Sequence, residues 1–254
     1  MTALIEAREI SFAYRRGEPV LHDVSFSVEP GINLGIVGES GAGKTTLLRI
    51  LLGLARPSTG TVLARGEPFD PRDRARLMAY RRLAQMVFQD PYSSLDPRQS
   101  IGRIVAEPVR ALGLETDRAA VAVRVAAALD SVGLPADAAA RFPHEFSGGQ
   151  RQRIAIARAI VADPKVLLAD EPVSALDVST RVRIIDLLAE LGERSELTVV
   201  LVSHDLGVVA ALCRRMLVLE RGRVVEQGQT PAVLDHPRHP YTRRLLDSVP
   251  RLPA

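Results

Sequence analysis

The chain has 254 residues, 46% of them hydrophobic, and a formal net charge of +3. This length allows a large core or two unequal lobes. No apolar run reaches the roughly 18–20 residues of a membrane-spanning helix, and the first residues do not form a signal peptide, so we expect a cytoplasmic protein. Basic residues are scattered and aromatic residues make up 4%, which argues against a nucleic-acid partner.

The first third of the chain predicts β structure that leads into a glycine-rich loop. Residues 4–8 and 20–28 alternate in hydrophobicity, and residues 32–37 form an apolar run that we expect to be a buried strand. Residues 38–45 follow directly and fit the pattern G-x-x-x-x-G-K-[ST]. Apolar residues then recur at helical spacing from Thr45 to Leu54. Strand, loop and helix together predict a P-loop.

A P-loop binds nucleotide phosphates through backbone amides, which we expect from Ser40 to Thr46, at the positive end of the following helix. Lys44 is expected to reach the β and γ phosphates, and the hydroxyl of Thr45 to ligate Mg²⁺. Lys44 is one of only two lysines in the chain. A phosphate site at this position requires a compact positive charge, which lysine provides. The predicted phosphate-binding residues are Gly38, Ser40, Gly41, Ala42, Gly43, Lys44, Thr45 and Thr46.

The rest of the chain predicts an α/β fold interrupted by helices. A strand is expected to end at Gln89, and residues 90–160 are predicted to be mainly helical. The βα pattern then returns, with predicted elements at 166–170 (strand), 179–191 (helix), 198–203 (strand) and 216–226 (hairpin). We therefore expect one 1–254 domain: a P-loop NTPase core of mostly parallel sheet with an antiparallel β subdomain, from residues 1–89 and 161–254, and an inserted helical subdomain at 90–160. The single cysteine, Cys213, lies among apolar residues and is expected to be buried.

Four polar residues stand at predicted strand ends, where open α/β sheets bind ligands. Asp170 suits a carboxylate that holds Mg²⁺ through water, and Glu171 is placed to orient or deprotonate a water in line with the γ-phosphate. Gln89 can share Mg²⁺ and that water, while His204 can hydrogen-bond the γ-phosphate. The sequence thus predicts Glu171, His204, Gln89 and Lys44 as catalytic, and Thr45, Gln89 and Asp170 as Mg²⁺ ligands.

A second anion-binding element is predicted where Ser147, Gly148, Gly149 and Gln150 open a helix. A chain with a complete P-loop does not need another cradle for the same phosphate. We therefore expect these four residues to contact a nucleotide bound to a second chain.

The ordered set of motifs resembles the nucleotide-binding subunit of an ABC transporter over essentially the whole chain. It matches that family's Walker A, Q-loop, signature, Walker B, D-loop and H-switch, although Phe146 stands in the signature where leucine is commonest. The resemblance implies that Tyr14 stacks on adenine, that Asp177 belongs to the D-loop, and that ATP and Mg²⁺ are the cofactors.

Two further stretches, residues 88–98 and 239–246, resemble the ATPases of dipeptide, oligopeptide and nickel importers. This implies an ATPase that powers uptake and lies peripherally on the cytoplasmic face of the inner membrane. The implied partners are a second ATPase subunit paired head to tail, two transmembrane permease subunits and an extracytoplasmic substrate-binding protein. An exporter ATPase and a soluble ABC ATPase are the alternatives. The cargo (peptide, nickel or another metal chelate) and the identity of the paired ATPase, whether the same chain or a homologue, stay open.

Overall fold

The computed structural model describes residues 2–14 and 17–248. Its strands, β1 to β10 in chain order, are Ile5–Ala13, Pro19–Val28, Leu34–Val37, Thr59–Ala64, Glu67–Pro68, Ala84–Val87, Val166–Asp170, Thr198–Ser203, Arg215–Glu220 and Arg223–Gln229. Its helices, α1 to α10, are Lys44–Leu51, Arg74–Leu83, Pro91–Ser94, Ile101–Ala111, Arg118–Ser131, Gly148–Ile160, Val178–Ser195, Leu206–Leu212, Thr230–Asp235 and Pro240–Asp247. Short 3₁₀ helices at Ala136–Ala140 and Pro143–Glu145 precede α6.

The chain divides into two compact units, one formed by residues 1–77 and 198–254 and the other by residues 78–197. The first unit contains an antiparallel sheet in the order β2-β1-β4-β5. It also contains strands β10, β9, β3 and β8, in which β3 runs parallel to both β8 and β9 and the β9–β10 hairpin is antiparallel. Every residue of β3 and β8 is buried, as continuous apolar runs in parallel sheets require.

The second unit combines the parallel pair β6 and β7 with most of the helices. All five residues of β7 are buried. In α5 the residues Val121, Val125, Ala128 and Leu129 are buried, so one stripe of the helix faces the core of the unit. Ile154 and Ile156 of α6 are fully buried in the same unit.

The predicted fold class is confirmed: the protein is α/β, with mostly parallel pairing around β3, an antiparallel β sheet and an inserted group of helices. The division at residues 89 and 161 stays a prediction. Burial raises the pKa of the Cys213 thiol to about 12, as its apolar surroundings predict. Within the described residues no helix is both long and apolar enough to cross a bilayer.

Some predicted boundaries were wrong by a few residues. The helix expected over 45–54 is α1, which begins at Lys44 and ends at Leu51. Gly53 has a left-handed φ of 67°, and Leu54 donates its amide back to the Arg49 carbonyl, which closes the helix. Helix α7 runs past its predicted end at residue 191 to Ser195. The tail helices α9 and α10 were not predicted as elements.

Candidate functional site

The glycine-rich loop of the first unit connects β3 to α1, as the sequence predicts. Gly43 precedes the helix with a φ of 106°, and Gly41 has a φ of 82°. L-residues with a side chain rarely adopt these backbone angles, so the loop depends on glycine at both positions. The first turn of α1 offers amides that lack intrahelical partners, which makes this helix end suited to phosphate.

Lys44 is folded back over the loop and only 7% of it is exposed. Its Nζ donates to the carbonyl oxygens of Gly38 at 2.6 Å and Glu39 at 2.9 Å. The same Glu39 carbonyl accepts the amide of Ala42 at 3.1 Å, so that amide is engaged within the loop. The loop carbonyls therefore hold the ammonium group at a defined place beside the helix start.

The two threonines after Lys44 have different surroundings. Thr45 is exposed, whereas Thr46 is buried and its Oγ1 shares a 3.0 Å hydrogen bond with the Tyr14 hydroxyl. This bond is the main cause that lowers the pKa of Tyr14, and Arg49 lowers it further. Phe12 packs edge-on to the Tyr14 ring at a centroid distance of 4.8 Å. Tyr14 stays 48% exposed, so its ring has surface left for a planar ligand.

His204 belongs to the same unit as the loop. Strands β3 and β8 are parallel with Val37 opposite Ser203, so Gly38 and His204 leave neighbouring strands at the same end. His204 is exposed, and Asp205 after it caps α8 by accepting the amides of Gly207 and Val208. The structure thus places three predicted elements in the first unit: the loop, Tyr14 and His204.

In the second unit, Gln89 and Glu171 are in direct contact. Strands β6 and β7 are parallel with Val87 opposite Ala169, and the Gln89 side-chain amide donates to a Glu171 carboxylate oxygen at 3.2 Å. Asp170 ends the buried strand and is 8% exposed. Glu171 has a φ of 43°, which is uncommon for a residue other than glycine.

The predicted second anion element is an exposed helix start. Ser147 caps α6: its hydroxyl oxygen accepts the Gln150 amide at 3.3 Å, while the Gln150 side chain accepts the Ser147 amide at 3.0 Å. Ser147 and Gln150 are both exposed. Phe146, directly before this cap, is 4% exposed, so its ring is buried.

Helix α7 packs directly against this signature helix. A Cβ added to Gly149 would lie 2.4 Å from Cγ2 of Thr180, so a larger residue there would overlap the Thr180 methyl group unless α7 or that side chain moved. Asp177 caps α7 and accepts the Thr180 amide at 3.0 Å and the Ser179 hydroxyl at 2.7 Å. These hydrogen bonds, above all that from Ser179, hold the pKa of Asp177 well below its usual range.

The proposed Mg²⁺ ligands have suitable chemistry. Thr45, Gln89 and Asp170 offer a hydroxyl, an amide oxygen and a carboxylate, which are the hard oxygen donors that Mg²⁺ prefers. Few protein ligands are expected where substrate phosphates and water complete the coordination sphere. The described residues contain no group of three or more His, Cys, Asp or Glu side chains that could hold a metal without such help.

One contact of the glycine-rich loop was missed from the sequence. Tyr241, in tail helix α10, accepts the backbone amide of Glu39 at 2.8 Å. In the sequence, the tail stretch is notable only for its resemblance to importer ATPases. No pattern of residue spacing predicts a contact between two residues so far apart in the chain.

Comparison with known proteins identifies the class. Residues 21–174 match the ABC transporter family, and residues 225–254 match a family described as the oligopeptide/dipeptide transporter, C-terminal region. The chain therefore belongs to the ABC transporter family.

Individual relatives agree. The chain is 50% identical over 227 residues to the glutathione import ATP-binding protein GsiA of Escherichia coli K12, which covers 89% of this chain and 36% of that protein. It thus spans about a third of the length of the curated relatives it matches. The solved cbiO1 of Clostridium perfringens, part of the transporter complex cbiONQ, is 30% identical with a TM-score of 0.84, over 93% of this chain and 92% of that one. The ATP-binding cassette MJ0796, solved as a dimer with ADP and Pi, is also 30% identical, with a TM-score of 0.78 over 89% and 98%.

Proposed function

We propose that this chain is the ATP-hydrolysing subunit of an ABC importer that takes up small peptides. Nickel or another metal chelate is the alternative cargo class. The match of residues 225–254 to the oligopeptide/dipeptide transporter C-terminal region supports import rather than export. The name of GsiA, a glutathione import protein, adds support for peptide cargo, because glutathione is itself a short peptide.

The observation that carries the proposal is the presence of two phosphate-type elements in one chain. The loop around Lys44 lies in the first unit, and the exposed, capped start of α6 at Ser147 lies in the second. One nucleotide does not need two such cradles. In the proposed assembly, two ATPase subunits pair head to tail, and residues 147–150 of each contact the nucleotide held by the other.

In the proposed mechanism, Lys44 and the amides of the first turn of α1 bind the phosphates, and Tyr14 stacks on the adenine. Glu171 accepts a proton from the attacking water, which Gln89 helps to orient, and His204 donates to the γ-phosphate. The Gln89–Glu171 hydrogen bond supports a joint role for those two side chains. Mg²⁺, when held by Thr45, Gln89 and Asp170, supplies charge neutralisation for the phosphates.

ATP contacts both subunits only when they are closed, so it favours the closed pair, and hydrolysis removes that preference. We propose that the helical segment entered through Gln89 transmits closure to two permease subunits at the cytoplasmic face of the membrane. An extracytoplasmic binding protein delivers the cargo to them. The paired ATPase is a second copy or a homologue.

Affinity purification from solubilised membranes tests the proposed assembly. The tagged chain is expected to retain a multi-span permease, identified by mass spectrometry, and the Lys44→Ala variant should retain it equally because Lys44 acts on nucleotide. Reconstituted into vesicles with the binding protein, the complex should import a labelled short peptide only with ATP. Recovery of ribosomes or DNA without a permease would contradict the proposal. If the vesicles took up nickel but not peptide, the alternative cargo class would be correct instead.

A further inference from the structure

A buried tyrosine of the tail contacts the P-loop backbone in the first unit. The amide of Glu39 donates to the Tyr241 hydroxyl oxygen at 2.8 Å, across 202 positions of sequence. Tyr241 is only 2% exposed while Glu39 is exposed, so the bond is shielded from water on the side of the tyrosine. Glu39 directly precedes the amides, from Ser40 onward, that are expected to face phosphate. The bond therefore anchors the beginning of the phosphate-binding stretch.

The contact involves the same peptide group that holds Lys44. The carbonyl of Gly38 and the amide of Glu39 belong to one planar peptide unit. Tyr241 accepts the N–H of that unit, and Lys44 Nζ donates to its C=O at 2.6 Å. Rotating the peptide plane would weaken both bonds together. Hydrogen bonds in such a chain also polarise one another, so each strengthens its neighbour.

The tail segment is itself anchored to strand β10. The amides of Arg238 and His239 donate to the two carboxylate oxygens of Glu226 at 2.9 and 3.0 Å. His239 then caps α10, because its Nδ1 accepts the Tyr241 amide at 3.2 Å. These bonds fix the backbone from which the Tyr241 ring projects.

The Tyr241 ring is also fixed at its side. The Arg244 guanidinium lies 5.6 Å from the ring centroid and pairs with Glu220 at 3.1 Å. Burial is the main cause that raises the pKa of Tyr241 above its usual value, so the phenol keeps its proton at neutral pH. Its oxygen is therefore a neutral acceptor for the Glu39 amide.

We infer that Tyr241 is a positioning residue for Lys44: it orients the Gly38–Glu39 peptide, whose carbonyl fixes the ammonium group that binds phosphate. The tail helix α10 is thereby a structural part of the nucleotide loop. This inference rests on the proposed role of Lys44 in ATP binding.

The Tyr241→Phe variant tests the inference, because it removes the hydroxyl and keeps the ring. We expect faster hydrogen exchange at the Glu39 amide, followed by NMR of ¹⁵N-labelled protein, and about three- to tenfold weaker ATP binding, the loss typical of one hydrogen bond. The matched control is Tyr80→Phe, which removes the hydroxyl of another buried tyrosine, in α2. Unchanged Glu39 exchange and unchanged ATP affinity in Tyr241→Phe would overturn the inference.

A double-mutant cycle separates this inference from the proposed function. If Tyr241 acts through Lys44, Tyr241→Phe should change ATP affinity little in a Lys44→Ala background. Full additivity of the two losses would overturn the positioning role. If Lys44→Ala alone leaves ATP binding intact, the proposed role of Lys44 fails, whereas Glu39 exchange still reports whether the Tyr241 bond exists.

Discussion

At the scale of single residues, Gln89 and Glu171 form one polar pair at the ends of two parallel strands. The Glu171 carboxylate accepts from the Gln89 amide, and the Glu171 carbonyl accepts both the amide and the hydroxyl of Ser174. These bonds hold Glu171 in its left-handed backbone conformation, at a φ of 43°. A residue in an uncommon backbone conformation requires such support, and the support pre-sets the direction of the carboxylate before a substrate binds.

Replacing the proposed base is the most direct residue-scale prediction. Glu171→Gln keeps a hydrogen-bond acceptor for Gln89 but removes the basic oxygen. We expect ATP turnover to fall by about 10²–10⁴-fold, the range for lost general-base catalysis, while ATP binding persists and the subunits stay paired. Steady-state phosphate release and size-exclusion chromatography with ATP measure the two effects. Glu190→Gln, an exposed position on α7, is the control. Wild-type turnover in Glu171→Gln would show that Glu171 is not the base.

Residues at strand ends were predictable from the sequence, because a run of buried apolar residues marks the strand and the residue that ends it lies at the edge of the sheet. Val166–Asp170 is an example: the predicted strand is β7 without any shift of its bounds. The Gln89–Glu171 contact follows from the same rule applied to two parallel strands. Tyr241 could not be found in this way, since its partner lies 202 positions away and the contact depends on how the tail folds back.

At the scale of elements, the approach of α7 to the start of α6 sets the shape of the signature segment. The Thr180 methyl lies where a Cβ on Gly149 would be, and the cap at Asp177 fixes where α7 begins. By contrast, a Cβ on Gly148 would find its nearest atoms at 3.8 and 3.9 Å, on Leu176 and Tyr92. Close helix packing therefore explains the glycine at position 149. At position 148, by contrast, a small side chain would have room beside the helix start.

This difference predicts that alanine destabilises the protein at position 149 but not at position 148. Gly149→Ala should lower the free energy of unfolding by about 1–3 kcal/mol, the usual cost of overpacking, because its methyl overlaps Thr180. Adding Thr180→Ser removes the overlapping Cγ2, keeps the hydroxyl, and should restore most of the loss. Gly148→Ala is the matched control for stability. Thermal unfolding followed by circular dichroism measures all three, and a lack of rescue by Thr180→Ser would rule out this packing argument.

The boundaries of elements were less predictable than their existence. The apolar spacing that predicts a helix to Leu54 continues past the real end of α1, and Leu54 is 61% exposed. Periodicity reports where apolar residues fall, but the left-handed turn at Gly53 decides where the helix stops. Strand β1 runs to Ala13, beyond its predicted end, because its register shifts around Ile10 let pairing with β2 continue.

At the scale of the whole molecule, the proposed function makes each active site the joint property of two chains. The chain carries the P-loop and His204 in one unit, and Gln89, Glu171 and the signature helix in the other. A monomer should therefore bind ATP through its loop but hydrolyse it poorly. The binding energy of the shared nucleotide would then favour the closed pair of subunits, and this closure can be transmitted to a membrane partner.

Mixing two inactive variants tests whether the site is shared. Lys44→Ala disables the P-loop, and Ser147→Asp keeps a helix-capping side chain but places a negative charge where phosphate is expected. Each variant alone should be inactive. In an equal mixture, half of the pairs are mixed and each mixed pair keeps one intact site, so we expect up to about a quarter of wild-type turnover.

Ser147→Asn, which caps the helix without the charge, is the matched control and should lose less activity than Ser147→Asp. Because an intact site in the mixture takes its loop from one variant and its signature from the other, recovered turnover requires contributions in trans. If each chain completed its own site, no mixture of the two lesions could recover activity. A mixture as inactive as its components, although native mass spectrometry detects mixed pairs, would therefore contradict the shared site.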